Sequence, residues 1–210
     1  MKLVFEGAPA VGKSTVSKAL KSHHNCYVVP EVNVLFGKEN KESQLWYYQK
    51  QVERWNMALE SGSESIRVLD GDIFQPVWFN YLFPDEDWGC SEEMIEFYLA
   101  MLKTNQISFP DKYIFFHIDE KTRAVREMER SKKLGKSSEH INRKIERYRK
   151  FSIQQYDYFF KLSETFPDLV VFMESNDISE SVDKVLSLSQ PHNYKDSDIF
   201  QFILDWGNEI

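Results

Sequence analysis

A three-layer α/β fold around a five-stranded parallel sheet is predicted by three features of this sequence. Five short runs rich in β-branched and aromatic residues stand at Leu3–Phe5, Tyr27–Val29, Ile66–Leu69, Tyr113–Ile118 and Leu169–Phe172. Each is nearly continuous in apolar residues rather than alternating, the pattern of a strand covered on both faces. Between them lie longer stretches of helical spacing, at 14–23, 43–60, 73–82, 92–104, 120–133, 138–162 and 178–188, and β/α alternation of this kind builds parallel sheets with helices on both sides. The third feature is the glycine-rich turn that carries the first strand straight into the first helix.

Composition agrees. The 210 residues are 42% hydrophobic and 15% aromatic, enough to bury a core without metal or disulfide staples. Cys26 and Cys90 show no metal or CxxC spacing, and cysteine this sparse fits a reducing compartment. With no signal-peptide pattern and no apolar run near the ~20 residues of a membrane span, the expectation is a cytoplasmic protein without a membrane partner. The net charge of −7 opposes a nucleic-acid backbone, so no nucleic-acid partner is expected. Turn formers at Gly62-Ser63, Pro84 to Gly89, Pro110-Asp111 and Gly135 to Ser138 punctuate the chain, none long enough for an interdomain linker.

The turn itself, Gly7-Ala8-Pro9-Ala10-Val11-Gly12-Lys13-Ser14, satisfies G-x-x-x-x-G-K-[ST], and Thr15 continues it into the helix. Glycines let the backbone wrap closely enough to aim several N–H groups at a phosphate, and the helix N-terminus adds partial positive charge. Residues 7–15 therefore read as a nucleotide-phosphate site, with Lys13 reaching the terminal phosphates and Ser14 offering a hydroxyl to Mg²⁺. A guanine-reading Asn-Lys-x-Asp is missing, since Asn40-Lys41-Glu42-Ser43 lacks the Asp, and this favours ATP.

Ligands of open parallel sheets sit beyond the carboxyl ends of the strands, which draws attention to Glu31, Asp70, Asp72 and Asp119. Asp70 is placed as a second Mg²⁺ ligand. Glu31 is a candidate base for a substrate hydroxyl. Asp72 has two readings, a cap for the helix that follows and a second active-site acid. Asp119, beside Glu120-Lys121-Thr122, reads as a helix start. Arg123, Arg126 and Arg130 fall near one helical face, and such a row is stabilised by an anion; Arg126 and Arg130 are candidates for a transferring phosphoryl group, against the alternative of salt bridges to Glu127 and Glu129. The Gly135 to Ser138 stretch would hinge a lid spanning about 123–138. Among many aromatic residues destined for the core, Trp46, Gln49, Trp55 and Trp78 are candidates for a pocket around a planar ring.

With these residues in place, Glu6 to Thr15 resembles the opening of small-molecule P-loop kinases, the group of nucleoside, deoxynucleoside and nucleoside-monophosphate kinases. Val29-Pro30-Glu31-Val32 is similar to the post-strand acid that serves as base in deoxynucleoside kinases, with Pro and Glu exchanged, and Arg123 to Lys133 resembles their Arg-rich lid. That family usually carries an Arg after the strand-three acid, where this chain has Gly71; Leu69-Asp70-Gly71-Asp72 looks closer to ribosylnicotinamide kinases. The resemblance implies strand order 2-3-1-4-5, and an ATP- and Mg²⁺-dependent transfer to a hydroxyl of a small nucleoside-like molecule. A non-nucleoside alcohol such as an antibiotic, and a non-catalytic ATP-binding regulator, are the alternatives. Residues 1–190 are expected to form the kinase domain and 191–210 a helical extension, with Ile199, Phe202, Ile203 and Trp206 packing on that domain or forming a homodimer surface.

Overall fold

The computed structural model describes residues 1–37, 43–60, 62, 64–83 and 91–209. Asn40, Lys41, Ser63, Pro84 to Gly89 and Cys90, on which some sequence expectations fall, lie outside the described residues. Five strands, β1 (Lys2–Glu6), β2 (Cys26–Val29), β3 (Ile66–Asp70), β4 (Lys112–His117) and β5 (Val170–Glu174), form one parallel sheet in the order β2-β3-β1-β4-β5. The register sets Phe5 beside Asp70 and Val4 beside Tyr113, so the C-terminal ends of β1, β3 and β4 open at one edge.

Successive side chains of a strand point to opposite faces, and here that splits the apolar residues into two cores. Leu3, Phe5, Ile114 and Phe116 face α1 (Lys13–His23) and α8 (Ile178–Ser187), meeting Val16, Leu20, Val182 and Val185. Val4, Leu69, Tyr113 and Phe115 face the larger core under α3 (Gln44–Glu60), α4 (Gln75–Leu82), α5 (Glu92–Lys103) and α7 (Ser138–Thr165). The second core is strongly aromatic: Trp78 stacks on Tyr158 at 5.2 Å and Phe74 on Phe109 at 4.0 Å. Such pairs add to plain area burial.

Helix starts follow their sequence signals. Ser91, Asp119, Ser137 and Asp177 each accept a backbone N–H from three residues ahead, capping α5, α6 (Glu120–Lys133), α7 and α8. One element has no helical spacing to announce it, the single turn α2 (Val32–Leu35) after β2. The final helix, α9 (Asp196–Glu209), buries Ile199, Phe200 and Ile203 in the larger core and sets Trp206 against Tyr158 at 4.9 Å. Its Asp196 carboxylate accepts the N–H of Phe109 at 3.0 Å, tying the segment to the strand entering the sheet. No helix among the described residues is long and apolar enough to cross a membrane.

Candidate active site

The turn between β1 and α1 is shaped by close approach on both sides. Gly7 has φ 125° and a side chain there would meet the Phe116 carbonyl at 2.2 Å; Gly12 has φ 114° and would meet Ser175 Oγ at 2.4 Å. Neither position accommodates a Cβ. Ser175 Oγ in turn donates to the Val11 carbonyl, and Lys13 Nζ donates back to the Gly7 carbonyl, so loop, α1 and the residues after β5 form one cradle. The cavity over it holds about 670 Å³ and is lined by residues 8–16 with Arg126, Arg130, Ser175 and Asn176. Both Arg126 terminal nitrogens lie 3.4 Å from the Ser175 carbonyl.

Beside the cradle, Ser14 Oγ lies 3.4 Å from Asp70 Oδ2, while Asp70 Oδ1 is buried with no hydrogen-bond partner. A hydroxyl and an unsatisfied carboxylate oxygen at the edge of this cradle are the hard donors that suit Mg²⁺, which keeps most of its waters and takes few protein ligands. The residues fit that ion.

Glu31 is exposed at the start of α2, and Gly71 faces it: a Cβ at Gly71, where φ is 87°, would lie 3.7 Å from Glu31 Cγ. The strand ends carrying Glu31 and Asp70 are joined by Arg54 of α3, which is 1% exposed. Its Nε donates to the Pro30 carbonyl at 2.8 Å, and its Nη2 donates to the carbonyls of Asp70 and Gly71 at 2.6 and 3.0 Å. Burial lowers the Arg54 pKa, and Tyr47, Glu31, Asp70 and Asp72 oppose that shift.

A second cleft of about 260 Å³ adjoins the cradle. Tyr47, Trp78, Phe79, Phe83 and Phe151 give it aromatic walls, and Gln75 and Gln155 give it amides. Phe83 packs on Phe151 at 4.1 Å and on Phe79 at 4.6 Å. Lys13, Glu31 and Tyr148 line both cavities, so they stand where the two meet. At the back of this cleft lies Glu6, fully enclosed. Its Oε1 accepts the Asp72 N–H at 2.7 Å and its Oε2 accepts Gln155 Nε2 at 2.9 Å. Burial raises its pKa to about 7, against the pull of Lys13.

The expected site residues separate on this geometry. Residues 7–15, Lys13, Glu31, Asp70, Arg126, Arg130 and Trp78 come together around the two cavities. Asp72 does not: its carboxylate accepts Trp78 Nε1 at 2.9 Å and the Tyr113 hydroxyl at 3.2 Å, inside the core ahead of α4, with burial raising its pKa to about 6. A base must reach the substrate hydroxyl, and a sealed carboxylate does not. Trp55 is 2% exposed in the larger core, Gln49 points to solvent, and Trp46 packs on Phe36 at 6.4 Å; none of the three lines the cleft. Arg123 parts from Arg126 and Arg130 and is buried in a bond to Glu120. The cleft instead uses Tyr47, Arg54, Gln75, Phe79, Tyr148 and Gln155, which the sequence reading did not single out as site residues. Tyr47 and Arg54 are seven apart, so a shared helical face was the available signal.

This sheet order, with a tight glycine-rich turn after β1 and helices on both faces, is a nucleoside kinase-like P-loop fold. A structure of deoxyadenosine kinase from M. mycoides with its products dCMP and a flexible dCDP bound superimposes with a TM-score of 0.57 at 16% identity, covering 89% of this chain and 97% of that one. The same enzyme with bound dATP gives 0.55 at 13% identity over the same shares. No family model matches the chain, and no curated protein matches it in sequence.

Proposed function

We propose that this protein is a phosphotransferase that moves the γ-phosphoryl of Mg·ATP to a hydroxyl of a nucleoside-like small molecule. The observation that carries the proposal is the meeting of the two cavities at Lys13 and Glu31: a phosphate cradle on one side, an aromatic and amide-lined cleft on the other. A planar ring would pack on the aromatic walls of this cleft with the amides of Gln75 and Gln155 available to its edge, and Glu31, at the junction of the two cavities, would meet its hydroxyl. The ligands of the M. mycoides enzyme, nucleotides of the deoxy series, support this choice of acceptor class.

In the transfer, the acceptor oxygen forms a bond to the γ-phosphorus as the bond from that phosphorus to the β-bridging oxygen breaks, and ADP leaves. Glu31 accepts the hydroxyl proton. The 7–15 backbone and Lys13 hold the phosphates, and Arg126 and Arg130 face the charge that builds on the transferring group. Ser14 and Asp70 would hold Mg²⁺, which when bound would neutralise part of the phosphate charge. Gly71 leaves no guanidinium after the strand-three acid, which favours a neutral acceptor over one already phosphorylated.

The test is ADP release with Mg·ATP across nucleosides, nucleoside monophosphates, ribosylnicotinamide and hydroxylated antibiotics, in the wild type and in Glu31→Gln. A nucleoside-like acceptor is expected to stimulate release, and Glu31→Gln to slow it by roughly 10²- to 10⁴-fold while ATP binding is kept. Stimulation by an antibiotic alone would move the acceptor class, and tight ATP binding without stimulation by any acceptor would favour a nucleotide-binding regulator. Full transfer by Glu31→Gln would remove that residue as the base.

A further inference from the structure

The aromatic cleft ends at two side chains whose hydrogen bond has a fixed direction. Tyr148, Phe151 and Gln155 follow one another at spacings of three and four on α7, and this face of the helix lines the cleft. Gln155 reaches the back of it, where its Nε2 donates to Glu6 Oε2 at 2.9 Å. Glu6 is 3% exposed and is held on both oxygens: Oε1 accepts the Asp72 N–H at 2.7 Å, and Oε2 also accepts the Gly7 N–H at 3.3 Å. A carboxylate offers acceptors only, so the end of the Gln155 amide that meets Glu6 is its NH₂. Among the described residues the other end, Oε1, has no hydrogen-bond partner, and it is not one of the side-chain oxygens sealed from solvent. The carbonyl is open, and the cavity that Gln155 lines is the cleft. The second amide there, on Gln75 of α4, is held by no hydrogen bond among the described residues and turns to suit either kind of group.

Resting on the reading of this cleft as the acceptor site, we infer that Gln155, oriented by Glu6, is a specificity-determining residue: its fixed carbonyl selects rings whose edge carries an amino N–H over rings that carry only an oxygen there. The selection follows from what a mismatch leaves behind. An oxygen of the ring set against Gln155 Oε1 brings two acceptors face to face and takes the amide out of water with nothing in exchange. Turning the amide relieves that contact but sets its carbonyl against the Glu6 carboxylate, which is again two acceptors and is buried more deeply. The direction is therefore decided at Glu6, one residue behind the group that meets the ring. Glu6→Gln reverses it. The Asp72 N–H, the nearer of the two backbone donors, holds the substituted side chain's carbonyl at the Oε1 position. Its NH₂ then faces Gln155, which turns to accept from it and brings its own NH₂ into the cleft.

Calorimetric titration of the full chain without nucleotide tests it, at pH 8.5, where Glu6 is ionised although burial raises its pKa to about 7. Adenosine and cytidine are the amino probes; 6-methoxypurine riboside and 4-methoxypyrimidin-2-one riboside are their partners, with an oxygen and no N–H at that position. In the wild type the amino member of a pair is expected to bind roughly tenfold tighter or more, the worth of one hydrogen bond kept rather than lost inside protein. Glu6→Gln is expected to move that ratio toward the methoxy member by at least a similar factor, and since ratios are compared, the bulk of the methyl group cancels between proteins. Gln155→Leu, at a partly exposed position, is expected to take most of the preference away, and it carries the test alone should Glu6→Gln not fold. A ratio that Glu6→Gln leaves as in the wild type would deny Glu6 the orienting role, and one that Gln155→Leu leaves unchanged would deny Gln155 the contact. Both members of a pair bound equally by the wild type would end this inference while the transfer reading stands. Discrimination kept in a protein that transfers phosphoryl to no acceptor would support the inference and sink the transfer reading, and binding of none of the four probes would sink both.

Discussion

Glu6 sits in the last position of β1, where an ordinary apolar strand residue would pack, and accepts three hydrogen bonds that no apolar side chain makes, from the backbone N–H groups of Gly7 and Asp72 and from Gln155. Removing it from water favours its neutral form, which lifts its pKa from 4.5 to about 7. A carboxyl group with a raised folded pKa binds its proton more tightly in the folded chain than in the unfolded one. Its contribution is therefore most favourable below the unfolded value and declines as pH rises from 4.5 to about 7. The full decline is on the order of 3 kcal/mol, at 1.36 kcal/mol per unit. Asp72, raised to about 6, adds a slope of the same sign at lower pH. Glu6→Gln is expected to keep the Asp72 slope and lose the rest, so that between pH 6 and 7.5 the wild type loses melting temperature and the variant holds it. Parallel melting curves for the two proteins across that window would mean that Glu6 titrates as an ordinary carboxylate.

At the scale of elements, α6 and α7 form a hairpin stapled at two levels, and the staples are buried. Glu127 of α6 has a fully enclosed side chain and accepts from Lys144 of α7 at 2.7 Å, from Ser131 at 2.8 Å and from Arg130. One turn earlier, Arg123 reaches the Ile145 carbonyl of α7. Burial works against the Glu127 charge, but Lys144, Ser131 and Arg130 outweigh it and hold the pKa below the usual value. A lowered folded pKa means stability that is present above the unfolded value and lost as pH falls through the folded one. The lid expected at 123–138 thus comprises most of α6, the turn at Gly135 and the first residue of α7, and any swing must carry both helices or break the Glu127 bonds. Lys144→Met removes one partner from a buried carboxylate and is expected to cost about 3 kcal/mol. Hydrogen exchange should quicken in 123–145 and stay unchanged in β1 and β3; acceleration spread evenly over the sheet would deny the hairpin this local role. The same elements show where sequence pattern reaches its limit. Arg123 and Arg130 share a direction on α6, yet seven residues carry the second about 10 Å further along the axis, so one meets α7 and the other the cavity over the glycine-rich turn. On α3, Tyr47 and Arg54 face the cleft while Tyr48 and Trp55, one position on and about 100° round, face the core. Helical spacing marks faces; which face meets a cleft is decided by the helices packed around it.

For the molecule as a whole, the strands and the tight turn after β1 were legible because each has a local cause, continuous apolar runs and glycines where no Cβ fits, whereas the strand order followed from the family resemblance and not from any local pattern. The aromatic cleft was not legible, because its walls come from α3, α4 and α7, separated by as many as a hundred positions in the chain and united only by the larger core. That core has one more dependence on distant sequence. Ile199, Phe200 and Ile203 of α9 lie at 0–1% exposure, with Phe200 6.1 Å from the Phe74 ring. Phe74 stands at the head of α4, which carries Trp78 and Phe79 into the cleft, so α9 braces this aromatic wall from behind. Phe200→Ala is expected to cost about 3–5 kcal/mol, since the cavity left by a buried aromatic ring closes only in part. Against a total of about 5–15 kcal/mol, that is a large share of the stability of the chain. It should also loosen α4, so on the proposed function binding of the acceptor weakens more than binding of ATP, because the glycine-rich cradle rests on β1, α1 and the residues after β5. Thermal melts read the first effect, and separate titrations of ATP and acceptor read the second. Equal weakening of both ligands would place α9 as a support for the entire sheet rather than for the acceptor side of it.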